Sequence, residues 1–296
     1  MIKRVVEKPM QMKAYIWVVF AAMLWGTTGT AQTFLTGPAH PLTIGAARLA
    51  IGGFGLLVFV WISGNLKGVK VPWRWVGLSA LCMALFQPFF FSSVQLTGVA
   101  IGTVVAIGSA PAFSGILEAF VMKRKPERVW MFSSFLSVVG CILLFANRDS
   151  YIVDPFGVML GLLAGLAFAG YAMFSKNVLS FMEVVPAVAM IFSLSGLGLL
   201  PFLFFLDTGY LAEPQNLIIV GYLGIGATSL AYLLFSSGLK TIPSSSAVTL
   251  SLAEPLTASV LGVVVVGEAL SGQSWIGVAL LMGGIALLAF GKSSKA

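Results

Sequence analysis

The chain has 296 residues; 58% are hydrophobic, only 9% are charged, and the formal net charge is +7, with a mean hydropathy of +1.00. Soluble domains carry roughly 25% charged residues, so this composition excludes a water-covered globule and makes the bilayer the natural solvent. A nucleic-acid reading of the positive charge is excluded too: the bases gather in short clusters at the ends of apolar runs, with no basic stripe interleaved with aromatics.

A bilayer crossing needs about 20 apolar residues, and ten runs of that kind follow one another. A basic tail, 1–13, holds Lys3, Arg4, Lys8 and Lys13. The first run, 14–34, is long for a signal-peptide core and carries Trp17 and Trp25, so it reads as a retained span; it also holds Thr27, Thr28 and Gln32. The second, 41–62, opens on Pro41 and contains Arg48, the one base well inside a span. The third, 75–95, carries Gln87, Pro88, Ser92 and Ser93; the fourth, 99–121, carries Ser109, Pro111 and Glu118; the fifth is 129–146.

The sixth, 156–175, shows the GxxxGxxxG ridge of Gly157, Gly161 and Gly165, a helix-packing face, together with Phe168 and Tyr171, and Lys176 anchors its end. The seventh is 185–206. The eighth, 216–237, holds Thr228, Ser229 and Tyr232; its Gly221–Gly226 stretch lies in an apolar span and reads as packing, not as a nucleotide loop. The ninth, 244–266, holds Thr249, Ser251, Glu254 and Pro255; the tenth, 273–290, precedes a short tail, 291–296. A Walker A motif is missing, which excludes an ATP-driven pump within this chain.

Lys and Arg set the orientation. With a cytoplasmic N-terminus, fifteen of the seventeen fall on the inner side; Arg148 falls outside and Arg48 within a span. Both termini are therefore expected in the cytoplasm, as ten spans require.

The chain also repeats itself, a pattern to be sought early. Phe91-Ser92-Ser93 matches Phe235-Ser236-Ser237, and Thr97 matches Thr241, Val104 Val248, Pro111 Pro255 and Gly140 Gly284, all 144 positions apart. Each half then has five spans. Five is odd, so the second half enters the membrane inverted, the arrangement of many secondary transporters with a midplane site between the halves. The expected architecture is an all-α membrane protein of ten helices in two inverted five-helix repeats.

Ala253-Glu254-Pro255, the small and apolar run that leads to Gly267-Glu268, Trp25-Gly26 and Arg48 resemble the pattern of the EamA family of drug/metabolite transporters. The resemblance covers two repeats, roughly 14–146 and 156–290. The first half departs from it: Ser109-Ala110-Pro111 lacks the acid, and Arg124 stands where Glu268 would predict one. The resemblance implies a central cavity lined by spans 1, 3, 4, 6, 8 and 9, alternating access, and small polar or amphipathic cargo, often amino acids leaving the cell.

Glu254 is the acid at mid-span, where a charge costs about 2.5–3.5 kcal/mol on insertion scales. It reads as a holder of a substrate amine, a proton carrier or a partner of Arg48, and equally as a structural carboxylate for backbone groups freed by Pro255. Arg48 reads first as a structural or snorkelling base, and second as a bidentate holder of a substrate carboxylate. Glu118 is expected to pair with Lys123, Arg124 and Lys125. Pro88, Pro111 and Pro255 each remove a backbone donor, and the matched pair Pro111 and Pro255 is expected to break two symmetry-related helices at one depth. Trp17, Trp25, Thr28, Gln87, Ser109, Tyr171, Thr228, Tyr232 and Thr249 complete the candidate binding set, though each alone is as readily interhelical glue.

No catalytic or metal-ligating pattern appears: Cys82 and Cys141 sit in apolar runs, His40 stands alone, and no cofactor is implied. The expected function is a secondary exporter of amino acids or related metabolites in a bacterial inner membrane. A channel, a receptor or scaffold, and a carrier of nucleotide-like or drug-like compounds are the alternatives. The expected partners are a small-molecule substrate and the lipid bilayer, without nucleic acid, and a single chain is expected to suffice.

Overall fold

The computed structural model describes residues 2–37, 39–64, 70–123, 126–145, 154–267 and 269–290. Among them the regular structure is entirely helical. The helices are α1 (Ile2–Gln32), α2 (Pro41–Ile62), α3 (Trp73–Val99), α4 (Ile101–Val121), α5 (Arg128–Phe145), α6 (Pro155–Val178), α7 (Val184–Phe205), α8 (Pro214–Leu239), α9 (Ser244–Val266) and α10 (Gly272–Phe290). Nine of these are long and apolar enough to cross a membrane; α5 is a shorter apolar helix.

Proline and short polar residues punctuate the chain. Pro41, Pro155 and Pro214 open helices at positions where the missing N–H is not needed. Asp154 caps α6 by accepting from the Phe156 amide at 2.8 Å. Between α3 and α4 the chain reverses at Gly98, whose φ of 83° is left-handed and open to glycine at little cost. The hairpin is tight: a Cβ at Gly102 would lie 2.7 Å from the Val94 Cα. At the other end of the chain, residues 2–13, expected as a tail, continue α1 as helix.

The helices pack in a two-fold pattern. α2 lies against α7, and α5 against α10; α6 packs on α3 and α4 as α1 packs on α8 and α9. Small residues permit the approach. The Gly157, Gly161 and Gly165 ridge faces Thr97, Ser93 and Ala106. Gly140 and Gly277 meet across α5 and α10, where either Cβ would fall 2.5–2.8 Å from backbone of the other helix. Ser133 adds a hydrogen bond to the Gly284 carbonyl on the same seam. The outer surface is the inverse of a soluble protein's: Phe120, Phe204 and Phe205 are at least 80% exposed, a surface that only lipid can cover.

The prolines do not act alike. α9 breaks at Ser251–Leu252, just before Pro255. Pro255 has no N–H for the Ser251 carbonyl, and the Glu254 amide takes that place at 2.9 Å. At Pro88 and Pro111 the backbone dihedrals stay helical, and the one non-helical residue between Trp73 and Val121 is Gly98, so α4 is not broken at Pro111 as α9 is before Pro255. Just over one turn before Pro111, α4 lies tight on α6, with the Ala106 carbonyl 2.6 Å from where a Gly165 Cβ would be.

Candidate functional site

Arg48 sits two turns into α2 and is buried. Its Nε donates to the Thr228 Oγ1 at 3.0 Å and its Nη2 to the Ala227 carbonyl at 3.3 Å. Both acceptors belong to a π-helical turn, Ile225–Leu230, inside α8; such turns are frequent at functional sites. Thr228 donates to the Leu223 carbonyl five residues back, and Ser229 ties the turn to the Gly52 carbonyl of α2. Gly52 allows this seam, since its Cβ would lie 2.7 Å from the Gly224 carbonyl. Arg48 uses two of its five donors here and faces Tyr232 and Glu254 electrostatically.

Glu254 lies just beyond the break in α9, deep in the bundle yet partly exposed. Its carboxylate has no hydrogen-bond or ion-pair partner among the described residues, and Arg48 is the charge that acts on it without touching it. The backbone of α1 runs directly over this position. A Cβ at Gly26 would lie 2.6 Å from both the Glu254 carbonyl and the Thr257 Cβ.

That approach seats Trp25, whose ring lies 4.7 Å from Tyr232, 5.3 Å from Phe235 and 5.9 Å from Phe168. Its indole N–H is buried without a partner, as is the Thr28 hydroxyl almost one turn further on. Gln87 on α3 is buried and makes no side-chain hydrogen bond among the described residues; its carbonyl oxygen lies beside Gly45, one turn before Arg48 on α2. The Tyr232 hydroxyl reaches only the Met83 sulfur, at 3.8 Å. Tyr171, Phe192, Tyr232 and Phe235 close into one aromatic cluster, with Phe192 and Tyr232 4.2 Å apart.

The sequence candidates therefore divide. Trp25, Arg48, Thr228, Tyr232 and Glu254 come together, with Thr28, Gln87 and Tyr171 around them. Trp17 does not: it is 40% exposed on the outer face of α1, where a lipid-facing Trp belongs. Thr249 is already committed, accepting from the Trp130 indole at 3.0 Å and sharing a hydrogen bond with Ser134 at 2.8 Å. Ser109 is turned back to the Ala106 carbonyl, beneath Gly165. Glu118 binds Ser244 and Ser245; of its expected partners, Arg124 and Lys125 lie outside the described residues, as does Glu268. Phe192 carries no signal in the sequence, because it lies in an evenly apolar run; Phe235 belongs to the repeat, and its place almost one turn after Tyr232 is the signal that marks it.

Membrane-length helices with an apolar exterior, converging on unpartnered polar side chains, define a multi-pass membrane transporter. The sequence model of the EamA-like transporter family matches residues 12–146 and 155–290, and the chain belongs to that family, a transporter and not an enzyme. It is 45% identical to the uncharacterized transporter YwfM of Bacillus subtilis over 92% of each chain. It is 26% identical to Protein PecM of Dickeya dadantii, over 94% of this chain and 92% of that one. It is also 26% identical to a probable amino-acid metabolite efflux pump of Salmonella typhimurium, over 85% and 86%. A solved crystal structure shares the fold, with a TM-score of 0.79 at 22% identity over 96% of this chain and 99% of that one.

Proposed function

We propose that the chain exports small zwitterionic metabolites, amino acids foremost, across a bacterial inner membrane by alternating access. In this reading ten spans form two inverted repeats, 14–146 and 156–290, with both termini in the cytoplasm. The two-fold packing of α2 on α7 and α5 on α10 supports it, as does the clustering of Lys and Arg in alternate segments between the apolar runs. The relative named as an amino-acid metabolite efflux pump points to the same cargo class.

The observation that carries the reading is the Glu254 carboxylate, which has no direct partner among the described residues, in the same polar cluster as the buried Arg48. The Glu254 carboxylate stands partly exposed near two buried polar groups without a partner, the Trp25 indole N–H and the Thr28 hydroxyl, each of which costs about 1–3 kcal/mol while unsatisfied. A substrate with an ammonium and a carboxylate relieves this cost, the first group at Glu254 and the second at Arg48. Rocking of the halves then carries the loaded site from one face to the other.

Overexpression followed by a metabolite panel tests the proposal: particular amino acids should fall inside the cell and rise outside. No change across the panel would overturn export. Saturable counterflow in liposomes would then separate a carrier from a channel.

A further inference from the structure

Glu118 is buried in the last turn of α4. Its carboxylate accepts a hydrogen bond from the Ser245 backbone N–H at 3.1 Å and lies 3.5 Å from the Ser244 hydroxyl. These residues open α9. Lys176, in the last turn of α6, donates to the Leu239 and Ile242 carbonyls at 2.7 and 2.6 Å, where α8 ends. The connection between α8 and α9 is thus held by an acid from one helix and a base from another.

Those two helices carry much of the central site: Thr228 and Tyr232 on α8, Glu254 on α9. Every residue of α9 from Ser244 to Leu250, the stretch that runs from the held connection toward Glu254, is buried, as are Tyr171 and Phe235. The site is therefore shut on the face that bears Lys176 and Lys240. A path from that face requires the connection to move, and the Glu118 contact crosses from the first half of the chain to the second.

We propose that Glu118 is a positioning residue that latches this closed face, and that its bonds to Ser244 and Ser245 part when the site opens there. The Ser245 N–H is buried on Glu118 while the face is closed and is freed to meet water on opening. Loss of the acceptor therefore penalises the closed state alone and shifts the population. The inference rests on the carrier reading above, but its test needs no cargo: the metabolite panel can fail while the latch is demonstrated, and the reverse.

The test replaces Cys82 and Cys141 by Ala and places one thiol at Ser236→Cys, a position 2% exposed beside Phe235. Membrane vesicles of both orientations are treated with a membrane-impermeant maleimide. Glu118→Ala should raise labelling from the Lys240 face about tenfold and leave labelling from the opposite face unchanged, the scale expected for loss of a hydrogen bond to a charged group. Glu118→Gln keeps an acceptor oxygen and should restore most of the protection. A rise below about fivefold, a rise equal from both faces, or identical behaviour of Ala and Gln overturns the proposal. Glu118→Leu, which keeps the volume, is judged by the same criterion where the Ala variant does not accumulate.

Discussion

Gly26 of α1 rests on the backbone of α9 at Glu254, so closely that a Cβ would come within 2.6 Å of the Glu254 carbonyl. Neither backbone has room to give. Gly26→Ala should displace α1 from α9 and lower stability by about 1–3 kcal/mol, the usual cost of overpacking. Thermal unfolding in detergent measures this, and an unchanged midpoint would mean the two helices are further apart than described.

Glu254→Gln keeps the volume and removes the charge. Transport should fall at least about tenfold, the loss expected when a charged contact is removed from a binding site, with normal accumulation in the membrane. Wild-type counterflow and pH dependence in this variant would remove Glu254 from the mechanism.

Arg48→Lys retains charge but cannot reach Thr228 and the Ala227 carbonyl through one planar fork. Substrate affinity should fall about tenfold or more, read as a raised half-saturation in counterflow. Equal kinetics in the two proteins would show that charge alone suffices at this position.

Thr249 separates structure from function. Thr249→Val leaves the Trp130 indole and the Ser134 hydroxyl without their partner, which should cost about 1–3 kcal/mol of stability. Half-saturation for substrate should not move. A specific affinity defect would return Thr249 to the binding site.

Trp17→Leu is expected to be silent in both stability and transport, within about 0.5 kcal/mol, as for replacements away from packed features. A clear transport loss would place its outer face of α1 on a substrate path.

Much of this was legible in the sequence because the bilayer imposes length and polarity on every span. Arg48, Glu254 and Trp25 stood out as polar or amphipathic residues in costly places. The Gly157, Gly161 and Gly165 ridge followed from spacing alone. What hydropathy could not reveal was which hydroxyls were already spent. Thr228 and Thr249 look alike in sequence, yet one orients Arg48 and the other closes a network with Trp130. The matched prolines differ for a related reason: a proline removes a hydrogen bond, but this loss alone does not fix whether the helix is interrupted, as at Pro255, or continues, as at Pro111. Nor did the sequence announce the π turn beneath Arg48, since an extra residue in a helical turn leaves the apolar pattern of α8 nearly intact.

The break at Ser251–Leu252 makes the two related helices mechanically unequal. The inner segment of α9, Ser244–Leu250, is fully buried and fixed through Ser245 and Thr249, while the outer segment, Ala253–Leu261, leans mainly on α1. α4 has no such joint, because its backbone stays helical through Pro111. One helix is interrupted in its backbone and the other runs through its proline uninterrupted. Duplicated sequence has thus yielded one joint where two were drawn, and the carboxyl group without a partner sits beside it.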